Sequence, residues 1–126
     1  LEQRNAFYLG AVERSLSAFG ALALDAVVVG ITGPSYALAP DEDQALQERL
    51  SAAAGRPVVL AARAIAEAMA ALDRTRMLIF SPYPGWLQER AERYWAAAGI
   101  QLMETFQISD TFRAYEMTPE EVADGL

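Results

Sequence analysis

The chain has 126 residues, 53% of them hydrophobic, with 17 acidic against 10 basic side chains and a net charge of −7. That length supports one domain with a real core, and the acidic balance argues against nucleic acid or an anionic membrane as a partner, because both would be repelled. The sequence has no Cys, no His and no Lys. It therefore offers no disulfide framework, no zinc ligand set and none of the usual side chains of serine, cysteine or Schiff-base catalysis.

In chain order, residues 4–23 place Phe7, Val12, Leu16, Phe19 and Leu22 at roughly helical spacing. Residues 25–30 are a short β-branched run ending in Gly30, the pattern of a buried parallel strand. Residues 31–39, with Gly, Pro and Ser, read as a loop. Pro40 suits a first helical turn, and Asp41, Glu42 and Asp43 follow where a helix dipole favours negative charge. That helix is predicted to run to Ala54 and stop at Gly55. A second strand follows at 56–60, an Ala-rich helix at 62–72, and a third strand at 76–80. The turn at 81–85 leads to an amphipathic helix at 86–98, closed by Gly99. Residues 100–106 form a fourth strand, and Thr118-Pro119-Glu120-Glu121 starts a last helix with a capping box.

Strand–helix alternation with short connections implies an α/β fold: an open parallel sheet with helices on both faces. A seam near residues 73–75 divides the chain into 1–72 and 73–126. No apolar run reaches the ~18 residues that span a bilayer, and no basic region precedes an apolar core at the N-terminus. The expected location is therefore cytoplasmic. The chain begins at Leu1 and ends inside a helical pattern, so it is expected to be a piece of a longer protein.

Ligands of open α/β sheets sit beyond the carboxyl ends of the strands, which selects the loops 31–36, 81–85 and 107–113. In the first, Thr32 and Ser35 offer hydroxyls and the amides could face an anion. The same residues also suit a plain βα turn that bonds its own backbone. No Walker A or GxGxxG pattern is present. In the second loop, Tyr83 lies between Pro82 and Pro84, which restrict the backbone around it. A phenol fixed in this way is a good donor to a carboxylate, or else a cover on a stiff turn. Arg63, just past a strand end, is a better carboxylate fork than Arg56, which precedes its strand. Trp86, Tyr94 and Trp95 read as packing. Asp41 to Asp43, Glu89, Glu92, Glu120 and Glu121 read as solvated faces, and no metal site is expected.

Residues 25–36 (DAVVVGITGPSY), 55–59 (GRPVV), 76–83 (RMLIFSPY), 96–100 (AAAGI) and 118–122 (TPEEV) together resemble the aspartate/glutamate racemase superfamily, closest to its arylmalonate decarboxylase and maleate isomerase branch. The resemblance covers nearly the whole chain. It implies flavodoxin-like half-domains of a two-domain fold about twice this length, with the active site between them. It also implies cofactor-free chemistry on a small carboxylate or dicarboxylate. An enediolate forms beside a carboxylate, cysteines move protons or attack, and hydroxyls and backbone amides hold the carboxylate, the logic of an oxyanion hole. By the resemblance, Thr32 matches the hydroxyl beside the first cysteine position and Tyr83 the substrate-binding tyrosine. Gly33 and Ser35 fall in the same carboxylate loop.

The chain departs from the family pattern at Ile31, which stands at the first cysteine position. Ile can neither transfer a proton nor attack, which points away from racemase and isomerase chemistry. Arylmalonate decarboxylases also lack this cysteine, keeping a small residue there and one cysteine in the later half, which would lie beyond Leu126. The resemblance therefore implies a cofactor-independent lyase acting on a malonate-type diacid. The alternatives are a maleate isomerase or racemase relative, a non-catalytic small-carboxylate-binding domain, or an unrelated flavodoxin-like module binding a phosphate at 31–36.

Overall fold

The computed structural model describes residues 1–20, 22–108, 110–113 and 115–124. The elements are α1 (Glu2–Leu16), β1 (Val27–Val29), α2 (Pro40–Ala54), β2 (Val58–Leu60), α3 (Ala61–Ala71), β3 (Arg76–Ser81), α4 (Gly85–Ala97), β4 (Gln101–Gln107) and α5 (Pro119–Asp124). Short 3-10 turns lie at Ser17–Phe19 and Ser35–Ala37. The first helix stops earlier than its apolar spacing predicts, and the 31–39 loop contains a helical turn.

Several boundaries follow from local chemistry. Gly55 closes α2 at φ 63°, a left-handed conformation that costs a residue with a Cβ about 1 kcal/mol or more. The capping box before α5 forms both bonds: the Thr118 N–H donates to Glu121 at 2.8 Å, and the Glu121 N–H donates to the Thr118 hydroxyl at 3.2 Å. At the start of α2 only half a box is possible, because Ala39 has no acceptor; its N–H donates to the Glu42 carboxylate at 2.8 Å.

The fold is α/β with parallel strands, but the strands pair as β1–β2 and β3–β4 rather than as one continuous sheet. β1 and β2 have three residues each. Side chains of α2 also occupy donors of β2: the Val58 N–H donates to the Ser51 hydroxyl at 2.9 Å, and the Leu60 N–H donates to the Gln47 carbonyl at 2.9 Å. An edge satisfied by side chains does not recruit another strand. A register shift after Met77 interrupts the β3–β4 ladder.

Two apolar cores result. One gathers Val27, Leu46, Leu50, Val58 and Leu60, with α1 residues Leu9, Val12 and Leu16 packed against it. The other joins Tyr36 and Ala62 to Leu87, Ala91, Tyr94 and Trp95, so it crosses between the two strand pairs. Burial of each large side chain contributes about 1.5–3 kcal/mol. Tyr94 and Trp95 are core, as their spacing predicts, whereas Trp86 lies at the surface with the Arg90 guanidinium 5.0 Å from its ring centroid. Strand residues Val28 and Leu78 are 66% and 61% exposed, so these faces are open among the described residues.

Asp43 differs from its predicted solvated setting. It is fully buried and accepts a 2.8 Å hydrogen bond from the Tyr94 hydroxyl. The reason is helical phase. Asp43, Leu46 and Leu50 are the buried residues of α2, and their i, i+3, i+7 spacing puts all three on the core face. Asp41 and Glu42 point to solvent.

Candidate functional site

Thr32 follows β1 and Tyr83 follows β3, so both stand beyond the carboxyl ends of parallel strands, where the fold leaves backbone amides and loops free to meet a ligand. Their hydroxyl oxygens approach to 3.2 Å. Either can donate, and each keeps lone pairs or a proton for a third partner.

Tyr83 is held from several sides. The Tyr83 N–H donates to the Ser81 hydroxyl at 3.2 Å, and the Ile108 N–H donates to the Ser81 carbonyl at 3.0 Å. These bonds tie the proline-flanked turn to the end of β4. The Tyr36 ring meets the Tyr83 ring edge-on, with centroids 6.2 Å apart, and Phe112 stacks on it at 6.0 Å and 15°. Tyr36 is itself fixed against Tyr94 and Trp95 in the core. Burial pushes the Tyr36 phenol above its ordinary pKa, opposed by the neighbouring Thr32 hydroxyl and Trp95 indole. It therefore remains a neutral hydroxyl near the pair.

Tyr83 borders two clefts. A 310 Å³ cleft is lined by Thr32, Tyr36, Tyr83, Ser81, Gln88 and Trp95 among others. A 380 Å³ cleft contains Tyr83 with Arg4, Asn5, Ile31, Gly33 and Phe112. Gly33 packs closely there: a Cβ on it would lie 3.2 Å from Asn5 Nδ2. Ser35 is buried but faces elsewhere, lining a 240 Å³ apolar cavity with Ile31, Pro34, Leu46 and Leu60. The fold thus brings together Thr32, Gly33 and Tyr83, and sets Ser35 behind them.

Neither arginine weighed as a carboxylate fork joins the pair. Arg56 donates to the Leu22 carbonyl at 2.8 Å, and Arg63 pairs with Glu67 at 3.1 Å. Arg4 and Asn5 have no motif that marks them; the available signal is only their place on the first turn of α1. Among the described residues, no three or more His, Cys, Asp or Glu side chains come together as a metal-binding group, and no helix is long and apolar enough to cross a membrane.

No family model and no curated protein matches the sequence. Solved structures do match its fold. The maleate isomerase Iso from Pseudomonas putida S16 superposes with a TM-score of 0.82 at 19% identity, over 95% of this chain and 51% of the isomerase. A cysteine-to-alanine variant of that enzyme with maleate gives the same values. A glycine-to-cysteine mutant of arylmalonate decarboxylase in its sulfate-associated form superposes at 0.72 and 20% identity, over 96% of this chain and 53% of that one. The chain therefore shares the α/β fold of these solved structures. It spans about half the length of the solved structures it matches.

Proposed function

We propose that this chain supplies the carboxylate-binding half of a cofactor-independent enzyme acting on a small diacid, and that the reaction is decarboxylation of a malonate-type substrate. The observation that supports it most is the 3.2 Å approach of the Thr32 and Tyr83 hydroxyls from two separate strand ends. Loss of CO2 leaves the bonding electron pair on the former α-carbon, and the charge spreads onto the retained carboxylate as an enediolate. When a carboxylate takes the place of the bond between them, both hydroxyls turn their protons to it, and two O–H donors stabilise the enediolate more than the ground state, which lowers the barrier. The α-carbon must then take a proton. This chain has no Cys, so a thiol outside it would donate the proton and recover one from water.

Ile31 lines the cleft where a nucleophilic cysteine would stand in an isomerase or racemase, and its inert side chain favours decarboxylation over both. The same residue, with the absence of Cys, favours a second reading: a domain that binds small carboxylates without transforming them. Turnover of phenylmalonate by the complete gene product separates these readings. Release of CO2 that falls at least ~100-fold in Thr32→Ala and Tyr83→Phe supports the lyase. Turnover unaffected by both substitutions contradicts the assigned roles, and tight binding without CO2 release selects the binding domain.

A further inference from the structure

We infer that Arg4 and Asn5, adjacent on the first turn of α1, hold the second carboxylate of the diacid across the 380 Å³ cleft from Tyr83. This assignment rests on the proposed carboxylate site at Thr32 and Tyr83 and adds the feature that selects a diacid over a monoacid.

The cleft is an electrostatic exception. The chain carries 17 acidic residues against 10 basic ones, yet Arg4 is the one charged side chain among the residues lining this cleft, and no carboxylate faces it there. Arg4 forms no ion pair among the described residues, and its Nε is buried without a hydrogen-bond partner. A guanidinium left unpaired in a half-buried wall attracts an anion strongly, because the competing hydration is reduced. Its position is set by Phe112, whose ring centroid lies 5.0 Å from the guanidinium carbon and which stacks in turn on Tyr83. Arg4 is therefore preorganised relative to the Tyr83 hydroxyl through one aromatic ring.

Asn5 supplies the independent observation. It is 7% exposed and lines the same cleft as Arg4. A primary amide offers two N–H donors, from which a carboxylate in the cleft can accept. The Asn5 amide rests against Gly33, the residue next to Thr32. Tyr83 borders both this cleft and the one that Thr32 lines, so a diacid bound at the Tyr83 hydroxyl can accept hydrogen bonds at its other end from Arg4 and Asn5.

The test compares phenylmalonate with phenylacetate, its one-carboxylate counterpart, by calorimetric titration of the protein and three variants. The wild type is expected to bind the diacid at least ~10-fold more tightly. Arg4→Met should bring diacid affinity down to that of the monoacid and leave the monoacid unchanged, while Arg4→Lys keeps part of the preference. Asn5→Asp, nearly isosteric, should weaken the diacid by repulsion, and it carries the test if Arg4→Met does not fold by circular dichroism. A diacid preference unchanged in Arg4→Met, or in Asn5→Asp where that variant carries the test, overturns the inference, as does equal loss of both acids. A wild type that binds both acids equally overturns this inference alone. A wild type that binds neither overturns the carboxylate site at Thr32 and Tyr83 as well.

Discussion

The Tyr94 hydroxyl donates a 2.8 Å hydrogen bond to the Asp43 carboxylate in a setting where both residues are buried. The bond ties α2 to α4 beneath the Tyr36 ring, and so beneath the Thr32–Tyr83 pair. The other oxygen of Asp43 has no partner among the described residues. Removing the phenol hydroxyl therefore strips a buried carboxylate of its donor. Tyr94→Phe is expected to cost about 1–3 kcal/mol of folding free energy, read from urea unfolding. Asp43→Asn, which removes the charge and keeps the shape, is expected to cost less.

Two buried phenols set an alkaline limit on stability. Burial raises the pKa of Tyr36, and burial together with the bond to Asp43 raises that of Tyr94, both from an ordinary value of 10.0. Below pH 10 the folded and unfolded chains both keep these protons, so neither phenol makes stability depend on pH. Above pH 10 the unfolded chain releases them while the folded chain retains them. Stability then falls by about 1.4 kcal/mol per pH unit for each phenol until its folded pKa is passed. Unfolding curves taken between pH 8 and pH 12 should show this slope, and Tyr36→Phe should remove one share of it.

Gly33→Ala tests the packing between the Thr32 loop and α1. The added methyl would lie 3.2 Å from Asn5 Nδ2, and the tip of a side chain can move aside. The expected cost in thermal unfolding is about 1 kcal/mol or less. Displacement of Asn5 is expected to lower affinity for a diacid several-fold, measured by titration.

Arg4 also separates decarboxylation from isomerisation. In a decarboxylase the carboxylate held by Arg4 is the one that leaves, so the guanidinium stabilises the ground state more than the transition state. Arg4→Met should then raise KM and leave kcat unchanged or higher. In an isomerase both carboxylates persist through the reaction, and the same substitution should lower kcat/KM without raising kcat. Steady-state kinetics of the complete gene product distinguish the two.

The elements were legible where one local cause dominates. The β-branched run 27–29 forms β1, Gly55 ends α2, and Thr118 with Glu121 caps α5. Strand polarity selected the loops that carry Thr32 and Tyr83, together with 107–113, and the family resemblance singled out the two residues within them. The inward turn of Asp43 was encoded in its spacing to Leu46 and Leu50, but two acidic neighbours gave it the look of a solvated face. Arg4 and Asn5 were not legible, since their meeting with Gly33 and Phe112 depends on how α1 packs, over separations that no periodicity reports. The seam read near residues 73–75 lies between the two strand pairs, whereas the bonds of Ser51 and Gln47 to the donors of β2 cross between elements and no local pattern reports them.

The central claim is that the Thr32 and Tyr83 hydroxyls jointly bind one carboxylate. The affinity of the protein for phenylacetate, measured in Thr32→Val, Tyr83→Phe and the double variant, tests it most directly. Each single substitution is expected to weaken binding about 10-fold or more, as for a hydrogen bond to a charged group, and the double variant should lose measurable binding. An affinity that stays at the wild-type value in Tyr83→Phe would contradict it.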